Sequence, residues 1–422
     1  MSRKLRTRVA IRAGKLASAT SRIAGKGEGM VVGGRVMLKL APDAIADLAN
    51  GRVAALVSAT NGKTSTTRLL ANAAEQRGPV VTAATGANMT SGVVTTLAAG
   101  PPDAMAILEV DEAYLPMVTA ATKPQVILLG NLSRDQLDRM NEVAMTARKW
   151  RTMLAANPDV TVVANADDPI VTFAAEQAQH VVWVGGGQVW TADSAVCPEC
   201  GTLLTRDDVQ WHCTGCGRKR PETTWELRWD KGAGTAVSKS GLELDLSALQ
   251  LPGRFNASNA TLAVAVCEQL GFDLAESVKR MCEVTAVSGR YAVVDVGATR
   301  LRLLLAKNPA GWTELIDVMP PAPAPVIVSI NSNAADGRDP SWLWDVPFER
   351  LRGRTVIASG DRRRDLAVRL LHADVDHVVI ADPYAPDAPL PEQARALDVI
   401  DNAATYTAFH ELRTRAQREA QP

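Results

Sequence analysis

The sequence predicts an α/β protein, with a doubly wound parallel central domain and a smaller, Rossmann-like α/β domain at the C-terminal end. From Val53 onward, short apolar runs rich in β-formers alternate with helical stretches. The first of these runs leads directly into Gly-Lys-Thr at 62–64, as a strand does in a phosphate-binding loop. The alternation resumes after residue 291. Ligands of such sheets bind at the carboxyl ends of the strands.

The first 50 residues are expected to form a helical segment joined to the central domain. A basic helix over 1–26 carries eight Lys or Arg residues, with no acid before Glu28. A glycine-rich turn through 25–34, including Gly33 and Gly34, and a short helix over 42–50 follow. The basic helix has two open interpretations: it packs on the next domain with its charges in water, or it rests on an anionic membrane surface. A transit peptide is a weaker third.

The central domain is expected to span 51–290. Its strand candidates are 53–58, 104–110, 125–130, 160–164 and 181–184. Its helix candidates are 65–77, 135–156 and 169–179, and a helix over 256–270 closes the domain. Strands and helices in this order predict a parallel sheet with helices on both faces.

Near Gly185 the alternation of apolar strands and helices gives way to glycines, cysteines and polar segments. This change predicts an insertion over about 188–228 that is stabilised by a metal. Two CxxC pairs, with 12 residues between them, can place four thiolates around Zn²⁺, so we expect a structural zinc ribbon. Its ligands are Cys197, Cys200, Cys213 and Cys216. Because four thiolates leave no open position, a catalytic zinc is not expected. A nucleic-acid role is disfavoured, since the net charge is zero and the ribbon lacks a basic, aromatic patch.

The C-terminal domain is expected to span 291–422. Its strand candidates are 292–296, 301–305, 326–331, 355–359 and 377–381, with helices between them. The tail over 402–422 reads as helical and then polar. No apolar run approaches the roughly 18 to 20 residues that span a bilayer, so a cytoplasmic protein is expected, with at most peripheral contact at the inner face of the membrane.

The turn at 60–65 is the predicted ATP site. Backbone N–H groups of 60–64 and the following helix's N-terminus can bind phosphate oxygens, while Lys63 reaches the β and γ phosphates and Thr64 holds Mg²⁺. The residues of this site are Thr60, Asn61, Gly62, Lys63, Thr64 and Ser65. The general motif places a glycine where Val57 stands. The alternative is a helix N-terminus rich in threonine caps.

Acidic residues follow the second strand candidate. Glu109 stands at the strand end, where a nucleotide enzyme places the carboxylate that holds Mg²⁺. Asp111 and Glu112 come next, and two readings stay open for them: metal binding, or the capped start of a helix before Leu115.

Several motifs in this order resemble the Mur ligases, ATP-dependent peptide synthases that activate a carboxylate as an acyl phosphate. They are the phosphate-binding turn, Glu109, segments 131–138, 165–168 and 252–260, and Gly289-Arg290. The resemblance implies that Lys63 and Thr64 contact ATP and Mg²⁺, that Glu109 is a Mg²⁺ ligand, and that Asn259 and Asp168 lie near the adenine or ribose. Gln136 departs from the family's pattern, because it stands where many members have a histidine.

The segment 304–311 also departs from the Mur ligase pattern, which suggests a changed nucleophile. Segments 331–345 and 359–367, together with the four cysteines, resemble one subgroup: synthetase subunits that amidate the α-carboxylate of D-glutamate in the lipid II stem peptide. The resemblance implies that a GatD-type glutaminase partner supplies ammonia. It further implies that an aspartate here completes the partner's Cys-His pair, with Asp339 favoured and Asp345 as the alternative.

Two rival functions remain. A free-standing Mur-type or folylpolyglutamate-type ligase would add an amino acid, and the altered segment 304–311 argues against it. A non-enzymatic zinc-ribbon scaffold would bind nucleotide and assemble other proteins. Mutation of the phosphate-binding turn separates the two cases, because it abolishes the activity of an enzyme and leaves amidation unchanged if the chain is only a scaffold.

Overall fold

The computed structural model describes residues 3–23, 30–83, 87–134, 140–230, 232–285, 291–297, 299–333, 335–385 and 387–420. The chain divides into two compact units: residues 1–133 with 141–285, and residues 286–422 with the short stretch 134–140. Among the described residues, no helix combines the length and apolar character needed to cross a bilayer.

The helices are bounded as follows. In the first unit they are α1 (Arg3–Ile23), α2 (Met30–Leu40), α3 (Ala44–Ala49), α4 (Lys63–Ala74), α5 (Thr90–Ala99), α6 (Leu115–Thr122), α7 (Met140–Ala155), α8 (Pro169–Ala175), α9 (Arg254–Gln269) and α10 (Leu274–Cys282). In the second they are α11 (Pro309–Val318), α12 (Arg363–His372), α13 (Glu392–Arg395) and α14 (Tyr406–Glu419). Short 3₁₀ helices cover Glu75–Arg77, Ala192–Ser194, Pro340–Trp344 and Phe348–Leu351.

The strands of the first unit are β1 (Val53–Ser58), β2 (Val80–Val81), β3 (Met105–Glu109), β4 (Val126–Leu129), β5 (Thr161–Asn165), β6 (His180–Gly185), β7 (Leu204–Asp207), β8 (Gln210–Cys213), β9 (Trp225–Asp230), β10 (Ala233–Ser238) and β11 (Glu243–Asp245). Those of the second are β12 (Tyr291–Val296), β13 (Thr299–Leu305), β14 (Val326–Ser329), β15 (Val356–Ser359), β16 (His377–Val379) and β17 (Ile400–Ala404).

The first unit is built on a nine-stranded sheet in the order β11-β10-β9-β6-β5-β4-β1-β3-β2. Strands β1 to β6 and β9 are parallel, whereas β10 and β11 are added antiparallel. The strand order reverses at β1, with β3 and β2 on one side and β4, β5 and β6 on the other, so the predicted doubly wound sheet is confirmed. Such a reversal of strand order creates a crevice at the carboxyl end of the central strand. Strand β1 is buried along its whole length because helices cover both of its faces.

The N-terminal helices α1 and α2 pack on each other, and α2 also packs on α5. Gly33 and Gly34 lie inside α2, so their predicted place in a turn is wrong. A Cβ atom on Gly33 would lie 2.0 Å from Ser18 Oγ, and one on Gly34 would lie 1.9 Å from the Ser91 carbonyl oxygen. Glycine is therefore present for close helix packing, which sequence alone does not distinguish from a turn. The earlier glycines of that predicted turn lie outside the described residues.

The inserted residues lie between β6 and β9, close to the predicted range of about 188–228. Only the hairpin β7–β8 forms a separate two-stranded sheet. Strand β9, whose first residues fall within the predicted range, pairs in parallel with β6 and so belongs to the main sheet. Strands β9 to β11 lie at one end of that sheet, away from its central strands. This position explains why their sequence is more polar than that of the central strands.

The second unit contains a six-stranded sheet in the order β12-β13-β17-β14-β15-β16. Strands β12 and β13 form an antiparallel hairpin, and the other pairs are parallel, so the α/β architecture is confirmed. The prediction that residues 402–404 begin a helical tail is wrong, because β17 lies at the centre of the sheet. The polar residues Asp401 and Asn402 interrupt the apolar pattern that would predict a strand, although both are buried.

Candidate active site

The carboxyl ends of β1, β3, β4 and β5 meet at one edge of the main sheet. In the strand register, Val57 lies opposite Glu109, and Ser58 lies opposite Leu129. Leu129 in turn lies opposite Ala164. The polar segments that follow these strands therefore converge at the crevice beside β1, as the sequence predicts for a nucleotide site.

The turn after β1 passes directly into α4. Gly62 has φ +84°, a left-handed conformation that favours glycine, and its N–H precedes the helix. The first helical bond runs from the Thr66 N–H to the Gly62 carbonyl (2.9 Å). The N–H groups of Lys63, Thr64 and Ser65 thus lie in the first turn, where the helix offers no carbonyl partner, and they suit a phosphate group.

The N–H groups of Thr60 and Asn61 differ from the expectation. The Thr60 N–H donates to the Asn131 carbonyl (2.8 Å), and the Asn61 N–H donates to Asn131 Oδ1 (2.9 Å). The Ser133 N–H donates to Thr60 Oγ1 (3.0 Å). Both N–H groups hold the turn against the segment after β4. The backbone N–H groups that fit a phosphate are therefore those at the start of α4. A contact of the Thr60 and Asn61 side chains with ATP stays a prediction.

Lys63 is buried and paired with Glu112. Lys63 Nζ lies 3.1 Å from Glu112 Oε2 and also donates to the Ala59 and Thr60 carbonyls. The buried Trp150 Nε1–H donates to the Glu112 carbonyl (3.0 Å) and fixes the backbone there. Burial raises the pKa of Glu112, while the Lys63 ammonium opposes that rise. The loop after β3 therefore supplies the counter-ion of the phosphate-loop lysine, a role that the sequence did not reveal.

Glu109 is buried at the end of β3, where the sequence predicts a Mg²⁺ ligand. Asn88 Nδ2 donates to Glu109 Oε1 (3.1 Å) and orients the carboxylate. A buried carboxylate beside a phosphate-binding helix start provides hard oxygen ligands of the type that Mg²⁺ prefers. Metal binding by Glu109 and Thr64 stays a prediction.

Asp168 is fully buried and caps α8. Its Oδ1 accepts from the Ile170 and Val171 N–H groups, and its Oδ2 accepts from the Leu132 N–H (2.8 Å). Burial raises the pKa of Asp168 to about 6 against these hydrogen bonds. The carboxylate thus joins α8 to the segment after β4, and its predicted contact with the nucleoside stays a prediction.

Asn259 lies on α9 and closes the other side of the phosphate turn. It is buried, and a Cβ atom on Gly62 would lie 2.8 Å from its Oδ1. Only glycine leaves room for this approach. The close pairing brings a predicted nucleoside-contacting residue next to the predicted phosphate-binding residues, and together with the unbonded first-turn N–H groups it fits a bound nucleotide.

The four cysteines of the insertion come together as predicted. Their sulfur atoms all lie within 4.8 Å of one another. Cys197 Sγ is 3.6 Å from Cys216 Sγ, and Cys200 Sγ is 3.4 Å from Cys213 Sγ. A tetrahedral zinc ion with bonds of about 2.3 Å would hold its sulfur ligands about 3.8 Å apart, so this donor set fits Zn²⁺. The glycine after each pair has positive φ (+74° and +77°), which allows the chain to wrap a metal.

The ribbon is attached to the loop after β5. Trp211 Nε1–H donates to the Ala166 carbonyl (3.0 Å), and Arg220 Nε lies 2.7 Å from Asp167 Oδ1, with both side chains of that pair buried. The other Asp167 oxygen accepts from two glycine N–H groups after β6. Asp167 precedes the Asp168 cap, so the ribbon fixes a loop of the crevice. Nothing in the spacing of Arg220 revealed this contact.

Asp339 and Asp345 lie in the second unit, at the two ends of the 3₁₀ helix Pro340–Trp344. Both are exposed. Asp339 Oδ1 accepts from the Ser341 N–H (2.9 Å), so Asp339 caps the short helix, and this hydrogen bond lowers the pKa of Asp339. Trp342 is core, whereas Trp344 is exposed. An interaction of either aspartate with a partner stays a prediction.

The loop that precedes Asp339 is held firmly. Ser332 Oγ donates to the Gly337 and Arg338 carbonyls, and Asp336 Oδ1 accepts from the Thr407 N–H (2.8 Å) at the start of α14. Two further predicted features cannot be placed, since Gln136 and the Gly289-Arg290 pair lie outside the described residues.

Two family models match the chain: the Mur ligase middle domain over residues 57–267 and the MurT ligase C-terminal domain over residues 305–409. The chain is 30% identical over 367 residues to the subunit MurT of lipid II isoglutaminyl synthase (glutamine-hydrolyzing) from Streptococcus pneumoniae, covering 82% of each chain. It is 29% identical over 402 residues to the Staphylococcus aureus (strain N315) protein of the same name, covering 90% of each.

Solved structures show the same fold. A pseudomurein peptide ligase type C from Methanothermus fervidus superposes with a TM-score of 0.63 at 18% identity, over 87% of this chain and 79% of that one. The two family models together cover the domain that contains the candidate nucleotide site and most of the C-terminal unit, and the MurT subunits match over most of the chain. The chain therefore belongs to the MurT family of Mur ligases.

Proposed function

We propose that this chain is the synthetase subunit that amidates the α-carboxylate of D-glutamate in the lipid II stem peptide to D-isoglutamine. As a Mur ligase family enzyme, it is an ATP-dependent ligase of peptidoglycan synthesis. One observation carries the finer proposal: the same chain has a phosphate crevice with Lys63 at its centre and a C-terminal unit that matches the MurT ligase C-terminal model.

ATP supplies the phosphoryl group that activates the carboxylate as an acyl phosphate. Lys63 and the N-terminus of α4 stabilise the charge of the phosphates, and Glu112 holds Lys63 in place before ATP binds. Thr64 and Glu109 would hold Mg²⁺. Asn259 and Asp168 would position the nucleoside, Asp168 through the loops that it joins. The protein mainly orients the reactants, since phosphoryl transfer needs little other covalent chemistry.

The ammonia would come from a GatD-type glutaminase on another chain. A glutaminase nucleophile needs an activated thiolate. Burial raises the pKa of Cys267 to about 12 and also raises that of Cys282. The four remaining cysteines have the arrangement of a structural Zn²⁺ site. The thiols of this chain therefore do not fit glutamine hydrolysis, which supports a division of labour between two chains.

The exposed Asp339 is proposed to orient the partner's histidine, as the third member of a catalytic triad does. Asp345, at the other end of the same short helix, is the alternative. The hydrogen bonds of Ser332 and Asp336 support this proposal, because they present Asp339 on a fixed loop. We further propose that the complex works in the cytoplasm at the inner face of the membrane, where a lipid-linked substrate is available.

The nucleophile decides between this function and an amino-acid ligase. The purified complex with lipid II, ATP and Mg²⁺ should amidate with ammonium salts and should not add glutamate or other amino acids. Lys63→Ala should lower the rate by about 100-fold or more. Lys149→Ala, an exposed lysine on α7, is the matched control and should retain activity. Incorporation of an amino acid, or full activity of Lys63→Ala, would contradict the proposal.

A further inference from the structure

Helix α1 buries small side chains and exposes large apolar ones, the reverse of the usual arrangement in a helix that packs on a domain. Its buried face carries small residues: Thr7, Ala10, Gly14 and Ser21. A Cβ atom on Gly14 would lie 2.4 Å from Met37 Cγ, so this face packs tightly on α2. Three of its large apolar residues point outward, with Leu5 49% exposed, Val9 47% and Leu16 71%. A helix that serves only to pack on a domain places its large apolar residues inward.

The outward apolar residues lie along one strip. At 3.6 residues per turn, positions 5, 9 and 16 point in nearly the same direction. Arg8, Arg12 and Lys15 are exposed and lie along one side of that strip. Neither α1 nor α2 contains an acidic residue. The face is therefore both apolar and uniformly positive.

The neighbouring helix α2 exposes residues of the same two kinds. Val31 and Val32 are 42% and 43% exposed, and Arg35 and Lys39 are also exposed. Contiguous apolar patches on a protein surface mark contacts with another molecule, and these residues lie on two helices that pack on each other. Because the charged residues of both helices are all basic, this surface favours a negatively charged binding partner.

We propose that the outward face of α1, which consists of Leu5, Arg8, Val9, Arg12, Lys15 and Leu16, docks on the surface of an anionic lipid bilayer. A helix with this composition lies in the interfacial plane, with its apolar strip among the acyl chains and its cations at the anionic headgroups. The reason for docking rests on the proposed function, because a lipid-linked substrate presents its stem peptide at that surface. The small inward residues explain how the helix stays attached to the first unit while its large residues face the lipid.

Vesicle flotation tests the proposal with the purified complex. The complex should bind vesicles of phosphatidylcholine with phosphatidylglycerol, and binding should weaken at high salt and with phosphatidylcholine alone. Arg8→Gln/Arg12→Gln/Lys15→Gln should weaken binding by about 100-fold, from about 1 kcal/mol for each cation. Leu5→Ser/Val9→Ser/Leu16→Ser should weaken it by about tenfold or more.

A matched control removes three exposed cations elsewhere. Arg228→Gln/Lys239→Gln/Lys279→Gln changes the net charge equally and should bind vesicles like the parent complex. Circular dichroism should show unchanged melting of all three variants. Wild-type binding by either α1 variant, or equal binding of the parent to neutral vesicles, would overturn the proposal. Loss of the partner glutaminase from an α1 variant would instead identify the face as a protein interface and would also overturn it.

A water-soluble stem-peptide substrate separates this proposal from the proposed function. The α1 variants should amidate it at the parent rate, since no residue of this face belongs to the phosphate crevice. Failure of every form to amidate, with vesicle binding intact, would refute the function and leave the docking standing. Amidation without any vesicle binding would refute the docking alone.

Discussion

At the scale of single residues, the phosphate crevice depends on the pairing of Lys63 with Glu112. The Lys63 side chain is buried and that of Glu112 is half-buried. Glu112 Oε2 lies 3.1 Å from Lys63 Nζ, which also donates to two backbone carbonyls. A lone buried cation is costly, so Glu112 stabilises the buried Lys63 ammonium. Bound phosphates would supply the negative charge in its place. The spacing of Glu112 in the sequence allowed a helix cap or a metal ligand, because the partner is 49 positions away in the chain.

Glu112→Gln should therefore lower the free energy of unfolding of the nucleotide-free protein by about 3 kcal/mol. ATP should raise the melting temperature of the variant by more than it raises that of the wild type, since phosphate replaces the missing charge. Thermal melting with and without ATP measures both effects. Glu222→Gln, an exposed carboxylate of the first unit, is the control and should behave like the wild type. Equal ATP-induced shifts in the two proteins would show that Glu112 does not serve Lys63.

At the scale of elements, the strands that sequence predicts well are those whose burial needs only apolar residues. Strand β1 is apolar apart from its last residue and its bounds agree with the prediction. Strand β17 was missed because it buries Asp401 and Asn402 at the centre of its sheet. Arg302 Nε donates to Asp401 Oδ1 (2.7 Å), and Asn402 Nδ2 donates to the Tyr384 hydroxyl. Such partners are distant in the chain, so no local pattern shows that these polar residues can be buried.

The same limit applies to the ribbon, whose cysteines were predicted but whose attachment was not. Arg220→Ala should destabilise the first unit by about 3 kcal/mol, because it leaves the buried Asp167 carboxylate without its ion pair. Arg220→Ala/Asp167→Asn should recover part of that loss in urea denaturation. Arg228→Ala removes an exposed pair with Glu243 and should cost less than about 1 kcal/mol. A loss from Arg220→Ala as small as that of Arg228→Ala would contradict a buried attachment.

Zinc content tests the ribbon itself. The purified protein should hold one zinc ion per chain, and Cys200→Ser should remove it. Because the ribbon fixes the loop that contains Asp167 and Asp168, ATP affinity should fall as well. Cys282→Ser lies outside the ribbon and should keep its zinc. Elemental analysis and nucleotide titration measure the two effects. Full zinc content in Cys200→Ser would exclude the four-cysteine site.

At the scale of the whole molecule, ATP chemistry is proposed for the first unit and contact with a partner for the second. Asp339→Asn should abolish amidation with glutamine but retain amidation with ammonium salts, because only glutamine hydrolysis would need the aspartate. Asp345→Asn should retain both. The two nitrogen sources are compared in one assay of the assembled complex. Loss of both activities in Asp339→Asn would place this residue in the synthetase reaction instead.

Following the transferred nitrogen tests the proposed amidation. The complex is incubated with lipid II, ATP and glutamine labelled with ¹⁵N at its side-chain amide, and the product is examined by mass spectrometry. We predict an α-carboxamide that carries the label on the D-glutamate residue, formed only when ATP and both chains are present. Attachment of a whole amino acid, or a labelled amide formed without ATP, would contradict the account.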